Sequence, residues 1–328
     1  MFKIGNINFG EYPLVLAPME DVTDTIFRLI CKQYGVDLMF SEFVASDALI
    51  RNVKKIITKT QIHEDEHPFG IQIYGKHVDA MVESVKIVEE SRPDLIDINF
   101  GCPVKKIAGK GAGAGLLKDI PLMIKMAGSV VKASKLPVTA KTRLGWDEKN
   151  KNVVEVAEQL QDVGIQALTI HGRTKTQMYS GEADWALIGE VKNHPRISIP
   201  VIGNGDIDSP EKAKEMFNKY GVDAIMIGRA SIGRPWIFKE IKHFLKTGEE
   251  LPAYTINDQV NYLKDHFGKA LESKEEKRAI LSMRRFFAAC FKGIPNFRIT
   301  RIKLLQSLDR SEVYDILDYI SDKYGTMV

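Results

Sequence analysis

The feature that most constrains the fold is a repeated unit, in which a short apolar or β-branched run is followed by a polar loop and an amphipathic stretch. Eight such runs occur between residues 15 and 227, at 15–17, 38–40, 70–73, 95–98, 138–141, 167–170, 201–203 and 224–227. Strands that alternate with helices form a parallel sheet, and eight units of this length are typical of a (β/α)₈ barrel, the TIM barrel. We therefore predict this α/β fold, with functional residues on the loops that follow the strands.

The composition changes after the last predicted strand. Residues 246–252 have the character of a linker, and apolar residues at helical spacing follow at 256–271, 280–291 and 313–320. We predict a barrel domain at 1–245 and a small α-helical bundle at 246–328.

The predicted bundle carries charge of one sign. Eight arginines and lysines lie between residues 278 and 310, against the single acidic residue Asp309. Arg278, Arg285 and Lys292 recur every seven residues, which predicts one stripe on a helix. Solvated faces normally mix charges of both signs, so the stripe favours contact with a nucleic-acid backbone.

Cysteine usage bounds the compartment and the kind of site. Cys31, Cys102 and Cys290 are the only cysteines in 328 residues, too few for a disulfide framework and without a C-x-x-C spacing for a metal. We expect a reduced, cytoplasmic protein without a metal centre. We expect neither a leader peptide nor a membrane-spanning run. A hydrophobic content of 44% suffices for a sizeable core. The net charge of +3 is too small to identify a binding partner by itself.

Unusual residues gather where the predicted strands end. They are Pro18, Met19, Gln72, Asn99, Cys102, Lys141, Arg143, His171, Arg173, Asn204, Asp206 and Arg229. Each alone is compatible with an ordinary polar strand end, but their joint placement at one rim indicates a site. Gly203, Gly205 and Gly228 follow strands seven and eight, between which TIM barrels frequently bind phosphate through backbone N–H groups.

A second glycine cluster, at residues 109–115, imitates the dinucleotide-binding pattern G-x-G-x-x-A. It does not leave a strand directly, and no strand ends in an acidic residue about 20 positions further on, so we reject a Rossmann turn. The cluster instead predicts a flexible loop beside Cys102, whose Lys105, Lys106 and Lys110 are positioned to meet an anionic substrate.

Taken together, six motifs resemble the signatures of the tRNA-dihydrouridine synthases, and most closely the bacterial B-type subgroup. They are Ala17-Pro18-Met19, Asp97-Ile98-Asn99-Phe100-Gly101-Cys102-Pro103, Lys141-Thr142-Arg143-Leu144-Gly145-Trp146, His171-Gly172-Arg173-Thr174, Gly203-Asn204-Gly205-Asp206 and Gly228-Arg229. The resemblance covers nearly the whole chain in order, and the cysteine-containing motif alone is highly specific. One departure is Glu20-Asp21, where the family more often has a small residue and glycine.

This resemblance implies an FMN-dependent oxidoreductase that reduces the C5=C6 bond of particular uridines in tRNA, with NADPH or NADH as reductant. A hydride delivered to C6 leaves an enolate that needs a proton at C5, and Cys102 would supply it. An unperturbed thiol has a pKa of about 8.5, so it is largely protonated near neutrality and acidic enough to donate.

The same resemblance implies roles for the other residues. FMN would contact Pro18, Met19, Glu20, Gln72, Lys141 and His171, with Lys141 near flavin N1 and O2, and its phosphate would be held by Asn204, Gly205, Asp206, Gly228 and Arg229. The resemblance further implies that Asn99, which would orient uracil or flavin, Arg143 and Arg173 contact the tRNA nucleotide. The pattern of positive charge, independently of the resemblance, predicts that Lys105, Lys106, Arg278, Arg285 and Lys292 contact the tRNA as well.

Two alternatives stay open on the sequence. One is an FMN-dependent reductase of free pyrimidines, similar to the dihydroorotate dehydrogenases, which would not need the basic bundle. The other is a non-catalytic RNA-binding module, which would not need Cys102 beside a flavin pocket.

Overall fold

The structure, a computed structural model, describes residues 2–328 and contains the predicted parallel barrel. A short antiparallel hairpin, β1 (Lys3–Ile4) and β2 (Ile7–Asn8), precedes it. The barrel strands are β3 (Leu14–Leu16), β4 (Met39–Phe40), β6 (Phe69–Tyr74), β7 (Leu95–Asn99), β8 (Val138–Arg143), β9 (Leu168–His171), β10 (Val201–Asn204) and β11 (Ala224–Ile227). A two-residue strand, β5 (Val44–Ala45), adds to the end of β6.

All neighbouring barrel strands are parallel, in the order β3-β11-β10-β9-β8-β7-β6-β4. The ring closes where Val15 pairs with Leu38 just before β4. The predicted TIM barrel is thereby confirmed. The strands are almost entirely buried, because their inner faces fill the barrel and their outer faces pack against the helices.

Helices cover the barrel and then form the C-terminal bundle. Those of the barrel are α1 (Thr25–Gln33), α2 (Ser46–Leu49), α3 (Lys54–Ile57), α4 (Val78–Glu90), α5 (Lys105–Ala108), α6 (Ile120–Ala133), α7 (Val153–Asp162), α8 (Ala186–Asn193), α9 (Pro210–Tyr220) and α10 (Ile237–Thr247). Those of the bundle are α11 (Ile256–Ser273), α12 (Glu276–Cys290), α13 (Arg298–Gln306) and α14 (Arg310–Tyr324). Among residues 2–328, no helix is both long and apolar enough to cross a membrane.

Helix α13 is absent from the sequence prediction, for a physical reason. Its exposed face carries Ile299 and Ile302, which are 71% and 43% solvent-accessible, while Leu304 is its one buried residue. The apolar residues therefore do not form a core-facing stripe, which is the signal that identifies an amphipathic helix.

The segment predicted as a linker begins later than expected. Lys246 and Thr247 are the last residues of α10, and the helix ends where Gly248 takes a left-handed conformation with φ of 79°. The division of the chain into domains at residue 245 stays a prediction.

The bundle packs on the barrel through α1. Phe27 of α1 contacts the rings of His266 and Phe286, at centroid distances of 5.9 and 4.9 Å. Asp24 caps the start of α1, and its carboxylate also forms a 2.6 Å ion pair with Lys274 at the end of α11. These contacts fix the bundle beside the loop that follows β3.

Candidate active site

The carboxyl ends of the barrel strands surround a cavity of about 690 Å³, a volume usual for small-molecule sites. Its lining includes, of the residues singled out in the sequence, Pro18, Met19, Glu20, Asn99, Cys102, Lys141, Arg143, His171, Asn204, Gly205, Asp206, Gly228, Arg229 and Lys292. The fold thus brings together side chains from six barrel strand ends and from the bundle. A second cavity, of about 360 Å³, lies at the opposite end of the barrel beside Gly5 and Pro137.

Six of the residues that are expected to contact FMN or tRNA lie outside the cavity lining. Gln72 and Arg173 are buried, and Lys105 and Lys106 are exposed on α5. Arg278 and Arg285 are exposed on α12.

The predicted helical stripe is wrong at its last member. Helix α12 ends at Cys290, so Lys292 lies beyond it, where the backbone turns and Gly293 has a φ of 78°. That turn places Lys292 in the cavity wall instead of on the helix face.

The Cys102 side chain lies just beyond β7, at the cavity wall and 8% exposed. Its backbone N–H donates a 2.9 Å hydrogen bond to the Asn99 side chain, which also accepts from Gly101. Burial raises the pKa of the Cys102 thiol above its ordinary value, although the Val104 backbone and the positive charge of Arg143 act in the opposite direction. The thiol is therefore protonated at neutral pH and able to donate a proton.

The glycine-rich segment beside Cys102 is packed, in contrast to the flexible loop that its composition predicts. Residues 112–117 are buried, and Gly113–Lys118 forms a 3₁₀ helix. Gly113 has a φ of 54°, and a Cβ there would lie 3.2 Å from the Cys102 Cβ. Glycine is needed here because the backbone passes directly against the cysteine.

Lys141 lies two residues before the end of β8 and is half-buried in the cavity wall. Its Nζ donates a 2.9 Å hydrogen bond to Asn204, whose own amide donates to the Met226 carbonyl. Burial and the nearby Arg143 lower the pKa of Lys141 to about 7, while Asp97 acts in the opposite direction. Binding of an anionic group nearby would raise this pKa and favour the charged ammonium form.

His171 follows as the last residue of β9. Burial, together with the positive charges of Lys141 and Arg143, lowers the pKa of His171 well below its ordinary value. The imidazole is therefore neutral, and offers one hydrogen-bond donor and one acceptor to the cavity.

Arg143 is held by backbone carbonyl groups. Its Nε donates to Gly101 at 2.8 Å, and its Nη1 donates to Thr174 at 2.9 Å and Met178 at 2.8 Å. These bonds tie the loop after β7 to the loop after β9, and they fix the guanidinium at the cavity wall.

The loops after β10 and β11 contain a charged cluster. The Asp206 carboxylate accepts two hydrogen bonds from Arg173, at 2.9 and 2.7 Å, and one from Arg229 at 2.9 Å. Burial opposes ionisation, but these arginines and the Ala183 N–H give a net lowering of the pKa of Asp206. The Arg173 guanidinium is therefore engaged in an ion pair with Asp206 and does not line the cavity. The same carboxylate holds the guanidinium of Arg229 in position.

Backbone N–H groups add further hydrogen-bond donors in the same two loops, after β10 and β11. In the part of the chain that the structure describes, the N–H groups of Gly205, Gly228 and Arg229 have no protein acceptor. Gly205 has a φ of 138°, and a Cβ there would lie 2.5 Å from the Ala183 Cβ. This corner of unpaired donors beside the Arg229 guanidinium has the chemistry of an anion site.

The unusual Glu20-Asp21 pair has a local explanation. Asp21 adopts a left-handed φ of 57°, which glycine adopts freely and aspartate tolerates better than most residues. Its N–H donates to Glu42, while Glu20 pairs with Lys59. Carboxylate oxygens of Glu20, Asp21 and Glu42 lie within 4.8 Å of one another, but these contacts already engage two of the three groups.

Tyr179 is a cavity residue that the sequence interpretation missed. Its ring lies at the cavity edge and is 53% exposed, with the guanidinium carbons of Arg229 and Arg143 at 5.2 and 5.8 Å from its centroid. The available signal was an aromatic residue in the loop after the sixth barrel strand.

Comparisons with known proteins identify the family of this chain. The family model described as "Dihydrouridine synthase (Dus)" matches residues 15–322. "tRNA-dihydrouridine synthase B" of Pseudomonas putida is 44% identical over 79% of this chain and 78% of its own length. "Probable tRNA-dihydrouridine synthase" of Rickettsia conorii is 41% identical over 90% of this chain and 89% of its own length.

A structural comparison bears on the fold alone. Histamine dehydrogenase from a Rhizobium species matches with a TM-score of 0.58 and 13% identity, over 96% of this chain and 63% of that chain. The family match and the identity of the relatives confirm the resemblance seen in the sequence motifs. The chain therefore belongs to the dihydrouridine synthase family.

Proposed function

We propose that this protein reduces the C5=C6 bond of particular uridines in tRNA to give 5,6-dihydrouridine, with bound FMN as cofactor and NADPH or NADH as reductant. The names of its relatives support the tRNA substrate. The observation that carries the proposal is the position of the Cys102 side chain in the wall of a cavity that is also lined by Lys141 and by Gly205, Gly228 and Arg229. We also propose a cytoplasmic location.

The residues present fit FMN. The donors of Gly205, Gly228 and Arg229 suit a terminal phosphate, and one such corner accounts for a single phosphate group. A Cβ at Gly228 would make only ordinary contacts, 3.4 Å from the Ala17 Cβ and 3.5 Å from the Met19 sulfur, so what this residue offers the phosphate is its backbone N–H group. When bound, FMN supplies the hydride for uracil C6.

The chain's own residues supply the remaining chemistry. Lys141 offers a positive charge to an electron-rich ring, and its pKa of about 7 lets a bound anion set its protonation. Cys102 holds a proton on Sγ and delivers it to C5 of the uracil. Arg143 fixes the loop that carries Cys102 through the Gly101 carbonyl.

Lys292 and Arg285 are basic residues of the bundle that lie close to the cavity, where we expect them to contact the tRNA backbone. Lys292 lines the cavity, and Arg285 donates a 3.3 Å hydrogen bond to the carbonyl of Glu20 in the cavity wall. A phosphate backbone that follows this basic edge of the bundle would arrive at the cavity mouth. The uridine has to leave its stack to enter, because neighbouring bases cover the faces of a stacked uracil.

The purified protein is expected to contain FMN. The single anion corner ends the cofactor at one phosphate, and a Rossmann turn that would hold an adenylate is not expected from the sequence. Extraction and mass measurement of the bound pigment tests this expectation. Recovery of FAD, or of a colourless protein that does not take up added FMN, would contradict it.

The substrate class can be tested with the same preparation. We expect NADPH-dependent formation of dihydrouridine in unmodified tRNA transcripts, and no turnover of free uracil or uridine. Conversion of free pyrimidines without tRNA would favour the alternative reductase function.

A further inference from the structure

A line of hydrogen bonds runs inside the barrel from Asp97 to the backbone of Cys102. The Gln72 Nε2 donates to the Asp97 carboxylate at 2.6 Å, and the Asn99 Nδ2 donates to the Gln72 Oε1 at 2.8 Å. The Asn99 Oδ1 then accepts from the Gly101 and Cys102 N–H groups, at 3.0 and 2.9 Å. Asp97, Gln72 and Asn99 are at most 7% exposed.

The strand register explains why these residues meet. Gln72 on β6, Asp97 on β7 and Thr139 on β8 are register partners. A carboxylate in such a buried layer is costly unless hydrogen bonds satisfy it. Here Gln72 supplies one bond and the Thr139 hydroxyl supplies another, at 2.6 Å.

The order of donors and acceptors in this line follows from Asp97. A side-chain amide can present either its oxygen or its nitrogen, and the choice is set by its partners. A carboxylate accepts only, so it orients the Gln72 nitrogen toward itself and the Gln72 oxygen toward Asn99. The Asn99 oxygen is consequently directed at the two N–H groups that hold Cys102.

We propose that Asp97 is a positioning residue for the reduction of uridine, which acts through Gln72 and Asn99 to hold the backbone of Cys102. This inference rests on the proposed function. The residue at position 97 has to present an acceptor oxygen to the Gln72 amide, and the negative charge of the carboxylate is of secondary importance.

Two substitutions of Asp97 separate the acceptor from the charge. Asp97→Asn keeps an oxygen for Gln72 and turns its nitrogen toward the Thr139 hydroxyl, which can accept. Asp97→Val leaves Gln72 without an acceptor and frees both amides to rotate. Thr139→Val is the matched control, because it removes the other hydrogen bond of the same carboxylate and leaves the line intact.

The first readout is hydrogen exchange of the Gly101 and Cys102 amides in the protein without cofactor. We expect exchange about tenfold faster in Asp97→Val, the factor that corresponds to losing one ordinary hydrogen bond. Exchange at these amides should stay close to that of the unsubstituted protein in Asp97→Asn and in Thr139→Val. Unchanged exchange in Asp97→Val, or equal loss in Asp97→Asn, would overturn the proposal.

The second readout is the rate of dihydrouridine formation by the FMN-loaded enzyme. We expect a loss of roughly 10- to 100-fold in Asp97→Val, since a small misplacement of a reacting group has effects of this size, and recovery of most of the rate in Asp97→Asn. If the unsubstituted protein makes no dihydrouridine, the proposed function fails, while hydrogen exchange still tests the positioning.

A variant at the middle of the line covers the case in which Asp97→Val does not fold. Gln72→Leu should expose the same two amides to the same degree. Protection of both amides in Gln72→Leu would contradict the role of the line as clearly as the Asp97 result.

Discussion

The Cys102→Ala variant is expected to form dihydrouridine in tRNA roughly 10²-fold or more slowly than the unsubstituted protein, the usual effect of removing a positioned proton donor. The thiol is the expected proton source for uracil C5, and burial, which raises its pKa, keeps it protonated near neutrality. Uracil C5 therefore loses this source when the side chain is removed. FMN content and the reduction of bound FMN by NADPH should be unchanged. Single-turnover measurement of dihydrouridine, beside the rate of flavin reduction, tests this expectation.

Cys290→Ala is the matched control for this variant. Cys290 is a second buried cysteine, 8% exposed, in the bundle and outside the cavity lining. Full turnover by Cys102→Ala would remove the cysteine from the mechanism. Equal loss of flavin reduction would assign Cys102 to cofactor support instead of proton donation.

Replacing Arg278, Arg285 and Lys292 together by glutamine is expected to weaken tRNA binding by roughly 10- to 100-fold at moderate salt. Each lost phosphate contact should also reduce the slope of log K against log salt concentration by close to one unit. The physical reason is that a cation that pairs with a phosphate releases counterions from the nucleic acid. Titration of tRNA at several salt concentrations measures both effects.

A second triple variant controls for net charge. Lys132, Lys135 and Lys219 are exposed lysines outside the lining of the active-site cavity, and their replacement by glutamine removes the same charge. We expect only a small change in the salt slope for this control. If both triple variants give the same slope, the basic edge of the bundle is an ordinary solvated surface and tRNA docks elsewhere.

The barrel was predictable from the sequence because its strands are short, apolar and regularly followed by turns. The buried β7 and β11 runs, for example, match the predicted strands within one residue. Features with weaker local signals were missed. The β1 and β2 strands have two residues each, and α13 carries Ile299 and Ile302 on its exposed face.

The position of the cavity at the strand ends was predictable from the sequence, but the hydrogen-bond partners of its residues were not. Sequence spacing does not reveal that Arg173 pairs with Asp206 behind the cavity, or that Arg143 is held by three carbonyl groups. These contacts join separate loops, so they depend on tertiary structure. The same is true of Lys292, which reaches the cavity wall only because α12 ends two residues before it.

The decisive measurement is a map of dihydrouridine at every position of the tRNA pool in a strain that lacks this gene, with and without complementation. Dihydrouridine should be lost at particular positions, and the intact gene should restore it, whereas the Cys102→Ala gene should not. An unchanged dihydrouridine map in the deletion strain, when this is the strain's one family member, would show that the protein does not reduce uridine in tRNA.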